Sequence, residues 1–321
     1  MTNTEKMTIQ DLSVRDLQAW LNLAHSTKRT SNSPQALAEA TEEFHNALTD
    51  DAVDVVGAFM GANLLGCFEA RITGSRSGAT YIALDALLRP ESRSIELLRS
   101  LVAAMVERAR LLGEQQSDEA RGLRITADAS DQLWVQALKE AGFVTTHSAT
   151  TMRRALKPSD KNPMVVLPPG LTFAPFNPTQ EADAQLALHN EVFGDVPGSP
   201  RWATHHWQEM LVDKPAVRHD LSTVIRSANQ IVAYAHTEVW DEDEDATTHY
   251  AWIARIGVHE SCRKFGLGTA LINQVLSASA QAGLPYIELE VEPNNPTEPI
   301  RLYQRLGFKE TSTELELELM I

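Results

Sequence analysis

The stretch Val258-His259-Glu260-Ser261-Cys262-Arg263-Lys264-Phe265-Gly266-Leu267-Gly268-Thr269 lies between an apolar, strand-like run (Tyr250 to Val258) and a segment of apolar helical periodicity, Ala270 to Ala282. Where a strand turns straight into a helix, the N–H groups of the first helical turn have no partner inside the helix. They carry the positive end of the helix dipole and suit an anion. Gly266 and Gly268 remove Cβ atoms that would hold a bulky anion off the backbone, and Arg263 with Lys264 adds positive charge at the mouth. The loop reads as a pyrophosphate cradle. No third glycine follows at Rossmann spacing and no Gly-Lys-Ser/Thr closes a P-loop, so neither of those phosphate loops is present.

A second signature follows in Asn295-Pro296-Thr297-Glu298-Pro299-Ile300-Arg301-Leu302-Tyr303-Gln304-Arg305-Leu306-Gly307-Phe308. The Arg-x-x-Gly-x-Gly loop, followed one helix and one strand later by an asparagine, a Leu-Tyr helix and Gly-Phe, resembles the GNAT N-acetyltransferase superfamily. The resemblance implies an acetyl-CoA cosubstrate. Its pyrophosphate would rest on the amides of Lys264, Phe265, Gly266, Leu267, Gly268 and Thr269, beside Arg263. Backbone groups of Ile256, Gly257 and Val258 would pair with the pantetheine arm, and Asn295 would hydrogen-bond the cofactor.

At 321 residues the chain is long enough for two ordinary domains. Its 43% hydrophobic and 22% charged residues make a globular profile. No run reaches the length of a transmembrane helix, and Met1-Thr2-Asn3-Thr4-Glu5 lacks the regions of a signal peptide. Only Cys67 and Cys262 are present, which argues against a disulfide scaffold and fits a reducing cytoplasm. Cys262 reads as a small filler of the loop. A net charge of −15 argues against nucleic-acid binding, which needs basic surface, and is compatible with a cationic amine acceptor. No His/Cys/carboxylate cluster has metal-ligand spacing, so no metal is expected.

In chain order, residues 9–25 suit an amphipathic helix with Ser13 capping its later part, followed by a helix over 34–48. Strands are expected over 53–59, 64–70 and 79–88, a long helix over 94–112, a strand over 123–127, a helix ending at Gly142-Phe143, and a strand over 152–156. Prolines and polar residues over 158–170 mark a linker with few contacts. The second half begins with a strand over 171–175, helices over 181–193 and 204–212, and strands over 221–226 and 231–239. The acidic run Asp241-Glu242-Asp243-Glu244-Asp245 reads as a solvated loop tip.

The halves repeat at an offset of 170 residues, which sets Arg93 on Arg263, Leu88 on Val258 and Gly113 on Gly283, while Gly142-Phe143 answers Gly307-Phe308. In the first copy Glu96 takes the place of Gly266, Leu98 that of Gly268 and Leu138 that of Tyr303. A carboxylate facing pyrophosphate is repulsive, so the first copy reads as degenerate. The expected fold is α/β (α+β). It has a degenerate GNAT-like domain over 1–157, a linker over 158–170 and an acetyltransferase domain over 171–321. Each domain is a mixed, mostly antiparallel twisted sheet flanked by helices. The arrangement is similar to the tandem members of the superfamily.

Acetyl transfer from a thioester to an amine needs a positioned thioester, a neutral amine and a proton for the departing thiolate. Tyr303 is the candidate acid, because a phenol with a pKa of about 10 stays protonated at neutral pH. GNAT enzymes often carry a Glu or His on the fourth strand, yet Ala251, Trp252, Ile253 and Ala254 offer none. Glu238 is the chosen base; His236, His249, Glu290 and water acting through a relay remain open. The expected activity is transfer of an acetyl group to a primary amine of a small molecule or peptide in a ternary complex. The alternative is an acyl-CoA-binding regulatory protein whose chemistry has lapsed.

Overall fold

Tight turns set the first strands of each half antiparallel. In the computed structural model, which describes residues 7–27, 29–30, 33–76, 79–114, 120–161, 164–193, 201–241, 248–293 and 299–321, Gly61 (φ 58°) turns β2 (Val53–Met60) into β3 (Asn63–Arg76). Next comes β4 (Ala79–Leu88), antiparallel to β3. Helix α3 (Ile95–Gly113) then carries the chain across one sheet face, so that β5 (Ala120–Asp128) returns parallel to β4. A parallel partner requires such a crossover. Helix α4 (Gln132–Glu140) and strand β6 (Val144–Ala155) follow. On the opposite face, α1 (Leu17–Ser26) and α2 (Pro34–Thr49) bury Trp20 and Phe44 against Val55, Phe59 and Leu64.

The second half repeats the scheme. Strands β7 (Leu171–Pro175), β8 (Thr223–Ser227), β9 (Gln230–Asp241) and β10 (His249–Val258) are antiparallel neighbours. Helices α5 (Pro178–Phe193) and α6 (Thr204–Trp207) separate β7 from β8. Helix α7 (Leu267–Gln281) is the crossover to β11 (Tyr286–Val291), which lies parallel to β10. Helix α8 (Pro299–Arg305) and strand β12 (Lys309–Met320) complete the chain. Gly142 and Gly307, at φ 99° and 88°, stop α4 and α8 in the same way. Phe143 N donates to Leu138 O at 3.1 Å and Phe308 N to Tyr303 O at 3.0 Å, a glycine C-cap repeated in both copies.

The chain divides into two units, Met1–Ala149 with Ser312–Ile321, and Thr150–Thr311. The first sheet runs β1-β2-β3-β4-β5-β12, with β1 (Met7–Asp11) at its edge; the second runs β7-β8-β9-β10-β11-β6. Each sheet is therefore finished by the last strand of the other half's sequence. Glu314–Met320 pairs antiparallel with Gly122–Asp128, and Leu317 is fully buried in the first core. Thr150–Ala155 pairs antiparallel with Tyr286–Val291, and Met152 is fully buried in the second. The split differs from contiguous domains at 1–157 and 171–321, because strand pairing is non-local and periodicity alone does not name a strand's neighbour.

Three local expectations also change. Residues Met7–Asp11 form a strand on β2 instead of the start of a helix, which begins at Leu17. Between them Ser13 N donates to Asp16 Oδ2 at 2.9 Å, a cap that stops the strand and turns the chain. The linker is docked rather than free. Ser277 Oγ and Gln281 Nε2, both on α7, donate to Lys161 O at 2.9 and 2.8 Å, and Val165 and Leu167 pack on the second core. The helix expected over 204–212 is one α-turn followed by a π-turn, Gln208–Val212. Among the described residues no helix is long and apolar enough to cross a membrane.

Leu317→Ala should cost about 2–5 kcal/mol, as expected for a fully buried leucine. Hydrogen exchange should then accelerate in β4 and β5 while β9 and β10 stay protected. Loss of protection confined to β10 and β11 would contradict the exchange of strands.

Candidate active site

Strand β10 stops behaving as a regular strand at Ile253. It pairs with β11 only from Ala251↔Ile287 to Ile253↔Leu289. Its pairing with β9 continues to Val258↔Ala233, after a register shift between Ile253 and Arg255. The shift is a bulge, which bends a strand and re-aims its side chains. Ala254 packs on the cluster beneath α5, and the Arg255 guanidinium lies 5.5 Å from the Trp202 ring centroid on the same side. Ile256 and Val258 return to the core beneath α7. From Ala254 to Val258 the strand has a described partner on its β9 side alone. A Cβ on Gly257 would stand 2.6 Å from Cε1 of Tyr234, a fully buried ring, so close packing under the strand requires glycine there.

Past Val258 the chain makes a short 3-10 turn, Glu260–Cys262, whose cap His259 also meets Glu191 Oε1 at 2.9 Å. Cys262, half-buried, belongs to this turn. Arg263 is exposed, and its Nε donates to Val258 O at 3.2 Å. Lys264 and Gly266 both adopt left-handed backbone, at φ 68° and 79°. Phe265 between them is 63% exposed. Gly266 is the N-cap of α7 and supplies no side-chain acceptor, so the N–H groups of the first turn point out uncapped. Gly266 is required by its φ, since an added Cβ would meet nothing within 4 Å. A Cβ on Gly268 would come 3.5 Å from Leu302 Cδ2, an ordinary contact that sets α8 beside the start of α7. Leu267 is buried and Thr269 half-buried.

Tyr303, on α8, is 6% exposed and packs against Phe308 with ring centroids 5.9 Å apart. Its hydroxyl makes no hydrogen bond to another described residue. Burial pushes its pKa up to about 12, so the phenol keeps its proton. Asn295 lies outside the described residues, as do Glu242 to Asp245 of the acidic run.

Glu238 stands on β9 opposite Trp252 and is 3% exposed. Lys214 Nζ donates to its two oxygens at 3.0 and 2.9 Å, and Trp240 Nε1 donates to Oε2 at 2.9 Å. His236 shares that face but is sealed beneath α5, where its Nε2 meets Gln185 Oε1 at 2.7 Å. Burial lowers its pKa to about 3. His189, which the sequence did not single out, meets the Tyr234 hydroxyl at 2.7 Å through Nδ1. Burial first, then the charge of Arg255, lowers its pKa to about 4. The second ring nitrogen of each histidine is buried without a partner among the described residues, as a neutral imidazole requires less of its surroundings than an imidazolium. The available signal was the helical spacing of Gln185 and His189, one turn apart on α5. His249 is exposed beside Asp241, and Glu290 is exposed on β11. Among the described residues no group of three or more His, Cys, Asp or Glu side chains gathers as a metal site.

The first unit shows what the same loop becomes when it is closed. Helix α3 starts at Ile95, the position corresponding to Phe265, and the side chain of its cap Ser94 accepts from Leu97 N at 3.2 Å. Arg93 is ion-paired with Asp131, which also caps α4 by accepting from Trp134 N at 3.2 Å. Leu98 does not face the loop. It is fully buried in the first core, and Glu96 is exposed on the first turn. The start of α3 is thus closed by a serine cap and an internal ion pair, not by Leu98.

Residues 186–308 match the acetyltransferase (GNAT) family. The chain is 28% identical over 203 residues to the mycothiol acetyltransferase of Thermobispora bispora, covering 62% of this chain and 66% of the relative, just under two thirds of its length. A GCN5-related N-acetyltransferase structure from Sphaerobacter thermophilus superposes with a TM-score of 0.68 at 17% identity, covering 98% of this chain and 95% of its own. A tandem GNAT protein from the clavulanic acid biosynthesis pathway superposes with a TM-score of 0.60 at 16% identity, covering 98% of each chain. Residues 186–308 are thus similar to the GNAT acetyltransferase family, and the two repeats of one mixed sheet, with an open loop in the second, share the fold of a tandem GNAT protein.

Proposed function

We propose that the chain is an acetyl-CoA-dependent N-acetyltransferase whose second unit transfers an acetyl group to a primary amine of a small molecule or peptide, directly within a ternary complex. The observation that carries the reading is the parting of β10 from β11 immediately before an uncapped helix N-terminus. Among the described residues, backbone groups from Ala254 to Val258 have no second strand beside them, and buried backbone groups need partners. An amide-rich pantetheine arm would supply them at Ile256, Gly257 and Val258. The amides from Lys264 to Thr269 would take the pyrophosphate, with Arg263 beside them, and Asn295 would hydrogen-bond the cofactor. The acetyltransferase activity named for the Thermobispora bispora relative points the same way.

In this scheme the amine attacks the thioester carbonyl, the C–N bond forms, and collapse of the tetrahedral centre breaks the C–S bond. Tyr303 donates its proton to the departing thiolate. Its raised pKa of about 12 keeps the phenol in the donating form at neutral pH. Glu238 receives the proton of the amine. Its ion pair with Lys214 is also the observation that favours the second reading, an acyl-CoA-binding regulatory protein, because both carboxylate oxygens already have donors.

Calorimetric titration should find one acetyl-CoA per chain, because the first unit caps its own helix. Gly266→Glu should abolish that binding in a folded chain; undiminished affinity would remove the loop from the site. Two comparable sites per chain would mean that the Ser94 cap does not close the first loop.

Tyr303→Phe should leave acetyl-CoA affinity intact and lower kcat on the order of 10²-fold, the loss expected for a general acid. No alkaline limb should appear near pH 10, since the phenol ionises only as pH rises through about 12. Turnover within a few-fold of the parent would make Tyr303 a packing residue.

Thiol release with amine acceptors tests Glu238. Glu238→Gln should lower kcat on the order of 10²-fold while acetyl-CoA affinity is kept. Turnover within a few-fold of the parent would assign the proton to water, and absence of thiol release with any amine would favour the regulatory reading.

A further inference from the structure

Resting on the acetyltransferase reading above, we propose that Arg255, seated at the bulge of β10, anchors an anionic group on the acceptor, which is then an amine that also bears a carboxylate or phosphate. Arg255 is exposed, and its own hydrogen bond is from Nη1 to the neighbouring Ala254 O at 2.6 Å. It has no acidic partner among the described residues. By contrast Arg71, Arg99, Arg108, Arg153, Arg154 and Arg218 sit on carboxylates within 3.2 Å. Arg263, in the anion loop, is likewise without an acidic partner among the described residues. Two exposed guanidinium groups without acidic partners thus flank the opened edge of one strand. Arg263 stands where the diphosphate would lie, and Arg255 at the other end, just past the last β10–β11 pair.

The surroundings of Arg255 are those of an anion receptor. The guanidinium lies over Trp202, whose backbone is fixed by two bonds from one side chain. Asn190 Nδ2 donates to Trp202 O at 2.9 Å, and Trp202 N donates to Asn190 Oδ1 at 2.8 Å. An aromatic bed orients a guanidinium plane without neutralising it, leaving its fork of donors for a carboxylate or phosphate. Behind it lie Tyr234, His189 and His236, all buried and neutral, whose titrations feel the charge of Arg255. Among the described residues no carboxylate is provided from below. On the adjacent strand Glu238 is already held by Lys214, so it is not the missing counter-ion. An acceptor that brings its own anion would complete the site and place its amine beside the bulge, where the thioester would end.

Matched acceptors decide the matter with the full chain: L-serine against L-serinamide for a carboxylate, and phosphoethanolamine against ethanolamine for a phosphate. Thiol release from acetyl-CoA gives kcat and KM. The Trp202 indole N–H resonance, identified through Trp202→Phe in the CoA-saturated protein, reports binding without turnover. One anionic member should bind or react about 10- to 100-fold better than its neutral partner, the value of a charge-assisted hydrogen-bonded pair. Which pair responds tells carboxylate from phosphate. Arg255→Gln should erase that preference through KM, leave the neutral partner and acetyl-CoA affinity unchanged, and Arg255→Lys should restore part of it. Equal use of both members, equal loss on both in Arg255→Gln, or no shift of Trp202 by any of the four would overturn the proposal. Failure of acetyl-CoA to bind in calorimetry would instead remove the acetyltransferase reading itself, so the two failures are separable.

Discussion

The ladder between β11 and β6 holds the second unit in the form that its site requires. Strand β11 pairs with β10 over three residues, Ala251–Ile253, but with β6 over six, from Tyr286↔Ala155 to Val291↔Thr150. Arg153 reinforces the longer ladder. Its Nε donates to Glu288 Oε1 at 2.6 Å, and its guanidinium lies 3.9 Å from the Tyr286 ring centroid. A strand with six partners on one side can leave its other neighbour early without being lost from the sheet. The wedge between β10 and β11 is therefore a property of the whole sheet. The bulge at Ile253 to Arg255 and the Gly257–Tyr234 packing then fix the path of the departing strand.

Much of this was legible in the residues. The strand–loop–helix at Val258 to Thr269, the Leu302-Tyr303 helix and the recurrence of Gly-Phe depend on local chemistry, and local chemistry is written in consecutive residues. The strand exchange was not legible, because β6 and β12 have the same alternation wherever they pair. Nor was the bulge, since Ala254 and Arg255 break the period of two only in three dimensions. Met7–Asp11 misled for the opposite reason: Ile9 and Leu12 fit a helical face, and the partner that makes them a strand and its exit lies more than forty residues on, at Val55 to Met60. Tertiary pairing overrode local preference there.

The two loops illustrate how small a change caps a helix start. Both follow the fourth strand of their sheet and both keep an arginine. In the first, Ser94 caps the helix, a contact worth about 1 kcal/mol, and Asp131 takes the arginine. In the second, Lys264 and Gly266 hold left-handed backbone, and Gly266 offers no cap. A non-glycine residue in that conformation costs on the order of 1–3 kcal/mol and persists where the surroundings demand it, which clusters at functional sites. The second loop is thus the less stable of the two by its own local chemistry. Stability forgone at Lys264 and at the helix start is consistent with a site kept open for a ligand.

This asymmetry raises the question of why the closed unit persists. Its own loop retains little that would bind an anion, yet its sequence contributes Thr150–Ala155 to the sheet that carries the open loop, and Met152 is buried in that core. Without those residues β11 would be an edge strand held by three pairs, with Glu288 deprived of Arg153. Exposed edges of that kind invite mispairing. In return, the first sheet is finished by Glu314–Met320 from the end of the chain. Each half therefore depends on the other for a strand. Loss of the first half's fold would take with it the strand on which the second half's wedge depends.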